Sequence, residues 1–257
     1  MREGWIVPDW PAPADVRAVC STRASGVSRP PYDSLNLGDH VGDAAADVSS
    51  NRATYAQAIG AHPVFMKQVH GWRVADLASG TADGVEADAC VSTTRGVACT
   101  IMVADCMPVL FTLRDGSAVA AAHAGWRGLL GEGGRGVIEC AWERLRFASA
   151  DGAGVGDALV WLGPCIGPTA FEVGAEVMNA FVEIDAGAST CFVSGAPGKY
   201  LADLPALARR RLAALGIDSV SGNDGSTAWC TVSNPSIFFS HRRDRVSGRF
   251  AASVWLA

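Results

Sequence analysis

Short apolar runs, separated by Gly, Asp or Pro, occupy the middle of the chain and are typical of β-strands. They predict strands at 64–69, 73–77, 87–92, 97–103, 109–113 and 118–123. Further strands are predicted at 18–22, 158–162, 237–240 and 250–256. Helical periodicity predicts helices at 45–59, 129–146, 174–181 and 204–215. Strands in mid-chain with helices around them favour a mixed α/β (α+β) sheet covered by helices, in one domain over residues 1–257.

Segments rich in Gly, Pro, Asn, Ala and Ser predict loops between these elements, at 25–43, 148–156 and 185–198. Gly60 follows the helix predicted at 45–59. Glycine is the residue type that most readily ends a helix, so we expect the helix to stop there.

Composition excludes several classes of protein. Of the 257 residues, 49% are hydrophobic and 18% charged, which is too apolar for a disordered chain. The net charge of −5 indicates no basic surface for nucleic acid or anionic membranes, so we expect neither as a partner. The first 20 residues lack the apolar run of a secretory signal, and the eight cysteines form no CxxC pair. These features predict a cytoplasmic protein with reduced thiols.

Three residues carry the most distinctive chemistry: His70 in KQVHG, Cys106 in VADCMPVLF and His123 in AAAHAGWRG. Each lies at or just past the end of a predicted strand, where a sheet holds reactive groups in fixed directions. Two imidazoles and one thiolate are a good ligand set for Zn²⁺, and three protein ligands leave a fourth position open. Water at such a position reaches a pKa of about 7 and can attack as hydroxide.

The same residues allow two other interpretations. In the first, Cys106 is a thiolate nucleophile and His123 is its base, as in a thiol hydrolase. In the second, the histidines are hydrogen-bonded at strand ends and Cys106 is a buried thiol. Asp105, beside the thiol, is a candidate general base, a candidate orienting group for a histidine, or simply the end of the strand.

Several arginines are candidates for holding an anion. Arg127 in HAGWRG and Arg242 and Arg243 in FFSHRRD are suited to grip a phosphate or carboxylate through two hydrogen bonds. The alternative for Arg243 is an ion pair with the next residue in a surface turn. Arg23 and Asn36 lie beside Gly-rich turns, whose backbone N–H groups also bind anions. Phosphate-loop and α/β-hydrolase motifs are absent from the sequence.

From about Val19 to its last residues, the chain strongly resembles the YfiH/laccase-domain family, also called the polyphenol-oxidase or purine nucleoside phosphorylase family. The resemblance rests on six segments in this order: STRASGVSRPPYDSLNLGDHVGD, KQVHG, ADACVSTTRGVACTIMVADCMPVLF, AAAHAGWRG, GPCIGPTAFEVGAEV and CTVSNPSIFFSHRRDRVSGRFAASVWL. HAGWRG and ADC within apolar strands are its specific signatures.

The resemblance implies a single domain with a sandwich of helices over mixed β-sheet, like the catalytic domain of cytotoxic necrotizing factor. It implies metal ligands at His70, Cys106 and His123. The implied activity is phosphorolysis of adenosine, inosine and methylthioadenosine by phosphate, with deamination of adenosine to inosine. We expect Asp105 to carry a proton in the deamination and the arginines named above to hold phosphate.

Rival functions remain open. One is a cysteine amidase or deamidase that uses Cys106 and His123, for which the editing of peptidoglycan precursors is a candidate role. Another is a non-catalytic module in which the three residues hold structural zinc. A multicopper oxidase needs roughly eight His ligands beyond a blue-copper site, so five histidines exclude it. A single Cu²⁺ at the same site, as in a phenol oxidase, stays possible, and the oligomeric state is undetermined.

Three positions depart from the family pattern. After HAGWRGLL the chain has a longer GEGGRGVIE, so residues 131–134 are expected to reshape the loop beside Arg127. His241 stands where the family usually has Tyr, which leaves a role for that ring open. Cys165 in GPCIGP stands where Ala is common, and we expect it to be a packing residue.

Overall fold

The computed structural model describes residues 4–148 and 154–257. In these ranges the strands are β1 (Val16–Cys20), β2 (His62–Phe65), β3 (Val74–Leu77), β4 (Ala89–Ser92), β5 (Val97–Val103), β6 (Met107–Leu113), β7 (Val119–Ala124), β8 (Ala158–Leu162), β9 (Glu172–Gly174), β10 (Phe192–Ser194), β11 (Lys199–Ala202), β12 (Val220–Gly222) and β13 (Phe250–Leu256). The α-helices are α1 (Ala45–Ile59), α2 (Trp126–Leu130), α3 (Val137–Arg146), α4 (Ala175–Ile184), α5 (Leu204–Ala214) and α6 (His241–Asp244). No helix in the described ranges is both long and apolar enough to cross a membrane.

Two mixed sheets contribute most of the strands. The six-stranded sheet has the order β12-β8-β6-β7-β4-β3, and the four-stranded sheet has the order β1-β13-β5-β2. Neighbours β6 and β7 pair antiparallel, whereas β3 pairs parallel with β4 and β2 pairs parallel with β5. A smaller three-stranded sheet has the order β10-β11-β9.

Strand β6 explains why its apolar run has no polar face. Val109 and Phe111 pack with α3 and α5, whereas Leu110 packs with residues of the four-stranded sheet. Because successive side chains of a strand point to opposite faces, both faces of the six-stranded sheet are buried. On the outer face of the four-stranded sheet, Tyr55 of α1 packs against Ala98. The layers are helix, sheet, sheet and helix, which confirms the predicted mixed α/β sandwich covered by helices.

Helix α1 matches the helix predicted at 45–59 and ends where Gly60 adopts a left-handed conformation with φ of 65°. Asn51 of this helix is buried and ties the loop 25–43 to it. Its side-chain nitrogen donates to the Ser28 hydroxyl at 2.8 Å and to the Asn36 carbonyl at 2.9 Å. The long loop is therefore held against α1 by side-chain hydrogen bonds.

The single helix predicted over 129–146 is wrong. The chain forms α2, leaves the helical path, and starts again as α3. Gly131 has a φ of 66°, and Gly133 and Gly134 follow at 56° and 81°. Glycine adopts this left-handed region without the steric penalty of a side chain. The longer GEGGRG segment is thus the turn between two helices.

Other differences come from short or irregular segments. The strand predicted at 237–240 is wrong, because the N–H groups of Ile237 and Phe238 both donate to the Asn234 carbonyl and close a turn. The predicted loop 185–198 contains a 3₁₀ helix (Ala186–Cys191) and β10. Strands β9 to β12 were not predicted, since three or four residues are too few to establish an alternating pattern. Of the predicted loop 148–156, residues 149–153 lie outside the described ranges.

An ion pair between buried Arg211 of α5 and half-buried Glu139 of α3 holds the turn at 131–136 in place. Arg211 Nε donates to Glu139 Oε1 at 2.7 Å, and Arg211 Nη2 donates to the Gly134 carbonyl at 2.6 Å. The other carboxylate oxygen of Glu139 accepts the N–H of Gly136 at 2.8 Å, at the start of α3. One arginine therefore fixes both the helix start and the glycine turn.

We expect Arg211→Ala to lower the free energy of unfolding by about 2 kcal/mol, because it leaves the half-buried carboxylate of Glu139 without its partner. Urea denaturation followed by circular dichroism measures the change. Arg210→Ala is the matched control, since Arg210 pairs with Asp185 at the surface, where an ion pair contributes at most about 1 kcal/mol. An equal loss of unfolding free energy in Arg211→Ala and Arg210→Ala would contradict the role of Arg211 in holding the turn.

Candidate metal centre

His70, Cys106 and His123 come together although they are distant in the sequence. Their ligand atoms all lie within 4.8 Å of one another, and the two imidazole centroids are 4.8 Å apart. His123 belongs to β7, and Cys106 directly precedes β6, the antiparallel neighbour of β7. His70 lies on the loop between β2 and β3. His123 is buried, Cys106 is half-buried and His70 is exposed, so the cluster extends from the core to the surface.

A fully buried carboxylate, that of Asp88, organises the cluster. It accepts backbone N–H bonds from Val69 at 3.1 Å, His70 at 2.8 Å and Gly71 at 2.7 Å. It also accepts a hydrogen bond from Nδ1 of His123 at 2.8 Å. Because an ionised carboxylate only accepts, Nδ1 carries the proton and Nε2 of His123 is left for a ligand.

Two residues of the site have strained backbones. His70 and Asp105 have φ values of 62° and 92°, which residues with side chains rarely adopt. The Asp88 bond holds the N–H of His70. The Asp105 carboxylate accepts the Thr231 hydroxyl at 2.6 Å and the backbone N–H of Arg242 at 2.6 Å. Such conformations persist where the surroundings enforce them, and they concentrate at functional sites.

The HAGWRG segment approaches the cluster closely through two glycines. A Cβ at Gly125 would lie 2.7 Å from Cys106 Sγ and 3.2 Å from Cδ2 of His70. A Cβ at Gly128 would lie 2.8 Å from the carbonyl oxygen of Gly71, on the loop of His70. A side chain at Gly125 would displace Cys106 or His70, and one at Gly128 would displace the loop of His70. Close packing therefore explains why both positions are glycine.

The thiol and the imidazole alter each other's acidity. Burial raises the pKa of the Cys106 thiol, but His123 and His70 outweigh it and bring that pKa down to about 6. Burial lowers the pKa of His123, but Cys106 and Asp88 outweigh it and raise that pKa to about 9. Each group therefore favours the charged form of the other, the thiolate of Cys106 and the imidazolium of His123.

The donor set fits a transition metal. Two imidazole nitrogens and one thiolate are ligands that zinc prefers, and three protein ligands leave a fourth position for substrate or water. The hydrogen bond from His123 to Asp88 is of the kind that orients metal-binding histidines. Copper accepts the same donors. Within residues 4–148 and 154–257, this is the one group of three His, Cys, Asp or Glu ligand atoms close enough to share an ion.

A cavity of about 390 Å³ opens on the cluster. Its lining combines apolar side chains, among them Ile166, Phe171 and Leu204, with the guanidinium groups of Arg242 and Arg249. Pockets of roughly 300–1,000 Å³ with an apolar lining and a few polar groups are typical sites for small molecules. The cluster therefore faces a space in which a small polar ligand can bind.

Two of the residues predicted around the cluster line this cavity, Asp105 and Arg242. The Arg242 guanidinium lies 5.5 Å from the ring centroid of Phe171, and Nη1 donates to the Glu172 carbonyl at 3.0 Å. His241, at the position where the family usually has Tyr, lines the cavity as well.

Arg23 and Arg243 lie outside the lining, with side chains bonded elsewhere. Arg23 pairs with Asp33, donating Nε to its carbonyl at 2.8 Å. Nε and Nη2 of Arg243 donate to the Asp244 carboxylate at 2.8 Å and 2.7 Å. This is the ion pair with the next residue that the sequence offered as the alternative to anion binding. Both guanidinium groups hold loops together.

Asn36 and Arg127 also lie outside the lining. Asn36 is fully buried, and its Oδ1 accepts the backbone N–H of Arg249 at 2.8 Å. Arg127 is exposed, with its guanidinium 4.4 Å from the ring centroid of Trp126, which does line the cavity. Asn36 therefore positions Arg249, which lines the cavity. Arg127 itself does not line the cavity, and its guanidinium contacts Trp126, which does. The turn at 131–134, expected to reshape this region, follows the same short helix.

Sequence reasoning missed Asp88 and Arg249. Asp88 stands between two alanines at the start of an apolar strand, and Arg249 stands directly before another. A charged residue embedded in an apolar segment has to find a partner on folding, which is a usable signal. This signal does not identify the partner of the charged residue, because the partners of Asp88 and Arg249 lie in distant segments of the chain. Cys165, expected to be a packing residue, is fully buried in the core.

Comparisons with known proteins agree over almost the full length. Residues 17–257 match the protein family described as multi-copper polyphenol oxidoreductase laccase. A purine nucleoside phosphorylase of Pseudomonas aeruginosa is 49% identical over 255 residues, and the purine nucleoside phosphorylase YfiH of Escherichia coli is 47% identical over 253 residues. Both alignments cover 98% of each chain.

Solved structures agree as well. A Neisseria meningitidis protein of family DUF152 superposes with a TM-score of 0.91 at 42% identity, covering 99% of both chains. YlmD from Geobacillus stearothermophilus superposes with a TM-score of 0.85 at 29% identity, covering 100% of this chain and 97% of its own. The sequence resemblance is confirmed: the chain belongs to the YfiH/laccase-domain family.

Proposed function

We propose that the chain is a zinc-dependent purine nucleoside phosphorylase. The observation that carries the proposal is the cluster of His70, Cys106 and His123 on which a cavity of about 390 Å³ opens. Relatives 49% and 47% identical are named purine nucleoside phosphorylases, which supports an enzyme of that kind with nucleoside and phosphate as substrates. The eight cysteines, all in the described chain, are free thiols, which fits the cytoplasm as its compartment.

The proposed reaction is phosphorolysis of adenosine, inosine and methylthioadenosine. Phosphate attacks the anomeric carbon of the ribose, the glycosidic bond breaks, and the purine leaves after gaining a proton. Phe171 and Ile166 offer an apolar wall for the flat base. Arg242 supplies a cation for phosphate. An apolar lining also restricts water, which would compete with phosphate as nucleophile.

Zinc held by His70, Cys106 and His123 would supply Lewis acidity and lower the pKa of water to about 7. We propose that the same site deaminates adenosine. Water adds to the carbon that bears the amino group, and ammonia leaves. Asp105 takes the proton from the water and delivers it to the leaving nitrogen. Its two carboxylate oxygens each accept one hydrogen bond and keep a further lone pair for this transfer.

One observation favours a second candidate function. The pKa of Cys106 is lowered to about 6 beside His123, as in enzymes that use a cysteine nucleophile. In an amidase or deamidase, including one that edits peptidoglycan precursors, the thiolate would attack the amide carbon and His123 would protonate the leaving amine. Water would then hydrolyse the resulting thioester, which releases the carboxylic acid and restores the thiolate. A single copper at the same donors would suit a phenol oxidase. Five histidines are too few for a multicopper oxidase.

We expect the purified protein to carry about one equivalent of zinc and to release hypoxanthine from inosine only when phosphate is present. Metal analysis and chromatography of the products, with and without phosphate, measure both. Ribose 1-phosphate should form in the same amount as the free base. Full activity after complete removal of metal, or base release without phosphate, would overturn the proposal.

Asp88→Asn should weaken zinc binding by about 10–100-fold, because the carboxylate orients His123 and holds the loop of His70. Competition with a chromogenic chelator measures the affinity, and circular dichroism checks the fold. Asp76→Asn is the matched control, since Asp76 pairs with Arg144 at the surface. Zinc affinity equal to the wild type in Asp88→Asn would contradict the role of Asp88.

Alkylation by iodoacetamide distinguishes a ligand from a nucleophile at Cys106. In zinc-free protein the rate should rise with pH around 6 rather than 9, because thiolate forms as pH passes the lowered pKa. The other seven cysteines, all in the described chain, are buried and should not react in the folded protein.

Added zinc should protect the thiol from alkylation if Cys106 is a ligand. Cys106→Ser should then lose its zinc as well as its activity. If the variant keeps a full equivalent of zinc while activity disappears, the cysteine acts as a nucleophile and the metal assignment is wrong.

A further inference from the structure

We propose that Arg249, together with Arg242, forms an oxyanion subsite in the cavity that holds a phosphate group beside the cluster of His70, Cys106 and His123. This inference rests on the proposed function, because it takes phosphate as the ligand. It assigns phosphate binding chiefly to a residue outside the set of anion-binding residues expected from the sequence.

The position of Arg249 is fixed from two sides. Its backbone N–H donates to Oδ1 of Asn36 at 2.8 Å, and its carbonyl accepts the N–H of Leu37 at 2.9 Å. The side-chain stem passes Gly38, where a Cβ would lie 2.8 Å from Cγ of Arg249. The half-buried side chain is therefore directed along the loop into the cavity lining.

One edge of the Arg249 guanidinium is free to bind a ligand. Nη1 donates to the carbonyls of Ser247 at 2.9 Å and Gly248 at 3.0 Å, and to the Ser247 hydroxyl at 3.4 Å. Nε and Nη2 donate to no residue in the described chain. These two nitrogens form the edge of the fork that binds two oxygens of a phosphate or carboxylate at once.

Neither cavity arginine has a carboxylate partner in the described ranges. By contrast, Arg23, Arg52 and Arg211 all form ion pairs with acidic side chains. A cation withdrawn from water without a counter-ion is unfavourable, and an anionic ligand relieves this. The two unpaired guanidinium groups thus mark the cavity as a site for an anion.

The groups facing Arg249 are consistent with this charge balance. Burial lowers the pKa of Arg249, while Cys106 and Asp105 raise it again in part. The pKa of His40, also in the lining, is lowered by its own burial and by Arg249. Arg242 and Arg249 are the two arginines in the lining, so an anion in the cavity has both guanidinium groups to bind.

The chemistry fits a phosphate group. Two guanidinium forks can each bind a pair of phosphate oxygens, and the apolar residues Ile166, Phe171 and Leu204 leave room for a base or sugar in the same cavity. The phosphate group has two possible sources, free inorganic phosphate or the phosphoryl group of a nucleotide. Both have the same charge and geometry at the subsite.

Titration calorimetry of the purified holoprotein with inorganic phosphate, and separately with inosine 5′-monophosphate, tests the subsite. We expect Arg249→Met to weaken binding of inorganic phosphate about tenfold or more, as for loss of charged hydrogen bonds. Arg249→Lys keeps the positive charge but loses the paired N–H donors, so its phosphate affinity should lie between those of the wild type and Arg249→Met. Arg17→Met removes the same charge from an exposed strand residue outside the lining and is the control.

In phosphorolysis, the KM for phosphate should rise in Arg249→Met while the KM for nucleoside stays within about twofold. A loss of affinity for the nucleotide alone identifies the nucleotide as the source of the phosphoryl group. Binding of both inorganic phosphate and inosine 5′-monophosphate equal to the wild type in Arg249→Met overturns the subsite. If Arg249→Met does not fold, unchanged affinity for both ligands in Arg249→Lys overturns it instead. Phosphate binding that depends on Arg249 without any phosphorolysis leaves the subsite standing and refutes the proposed function.

Discussion

The carboxylate of Asp88 is the constraint on which the site depends. It accepts hydrogen bonds from three consecutive backbone N–H groups of the loop that carries His70, and a further hydrogen bond from Nδ1 of His123. One buried charge thus fixes the path of a loop and the tautomer of a ring. Together with Cys106, the same contact raises the pKa of His123, and His123 in turn lowers the pKa of Cys106. Geometry and electrostatics at the cluster have a common origin.

The layered fold makes this arrangement possible. Paired strands β6 and β7 bring Cys106 and His123 together through the register of their hydrogen bonds. Side chains buried on both faces of the six-stranded sheet hold those strands rigidly. Hydrogen bonds to side chains then fix the loop of His70, the start of α6 at Arg242, and Arg249 just before β13. Rigid strands beneath the cavity and segments held by hydrogen bonds around it suit a site that must position a small ligand.

Much of the fold follows from the sequence because burial on both faces produces long apolar runs. Strands β5 and β6 were predicted close to their observed bounds for this reason, and helix α1 was predicted to end at Gly60 because glycine readily ends a helix. The prediction of one helix over 129–146 overlooked Gly131, Gly133 and Gly134, which are a local turn signal. The short strands β9 to β12 were not predicted, because three or four residues are too few to establish an alternating pattern. Arg211 of α5 holds the turn after α2, and the sequence near 131–136 does not predict this contact with a distant residue.

The sequence by itself determined which residues are able to bind a metal. His70, Cys106 and His123 stand out by residue type and by their position at strand ends, and five histidines exclude a multicopper centre. Only the tertiary structure decided what surrounds them. Asp88 and Arg249 belong to the site, while Arg23 and Arg243 bind loops elsewhere. The physical reason is that donor chemistry is a property of a residue, whereas the partner of a buried charge depends on which distant segments folding brings within hydrogen-bond distance.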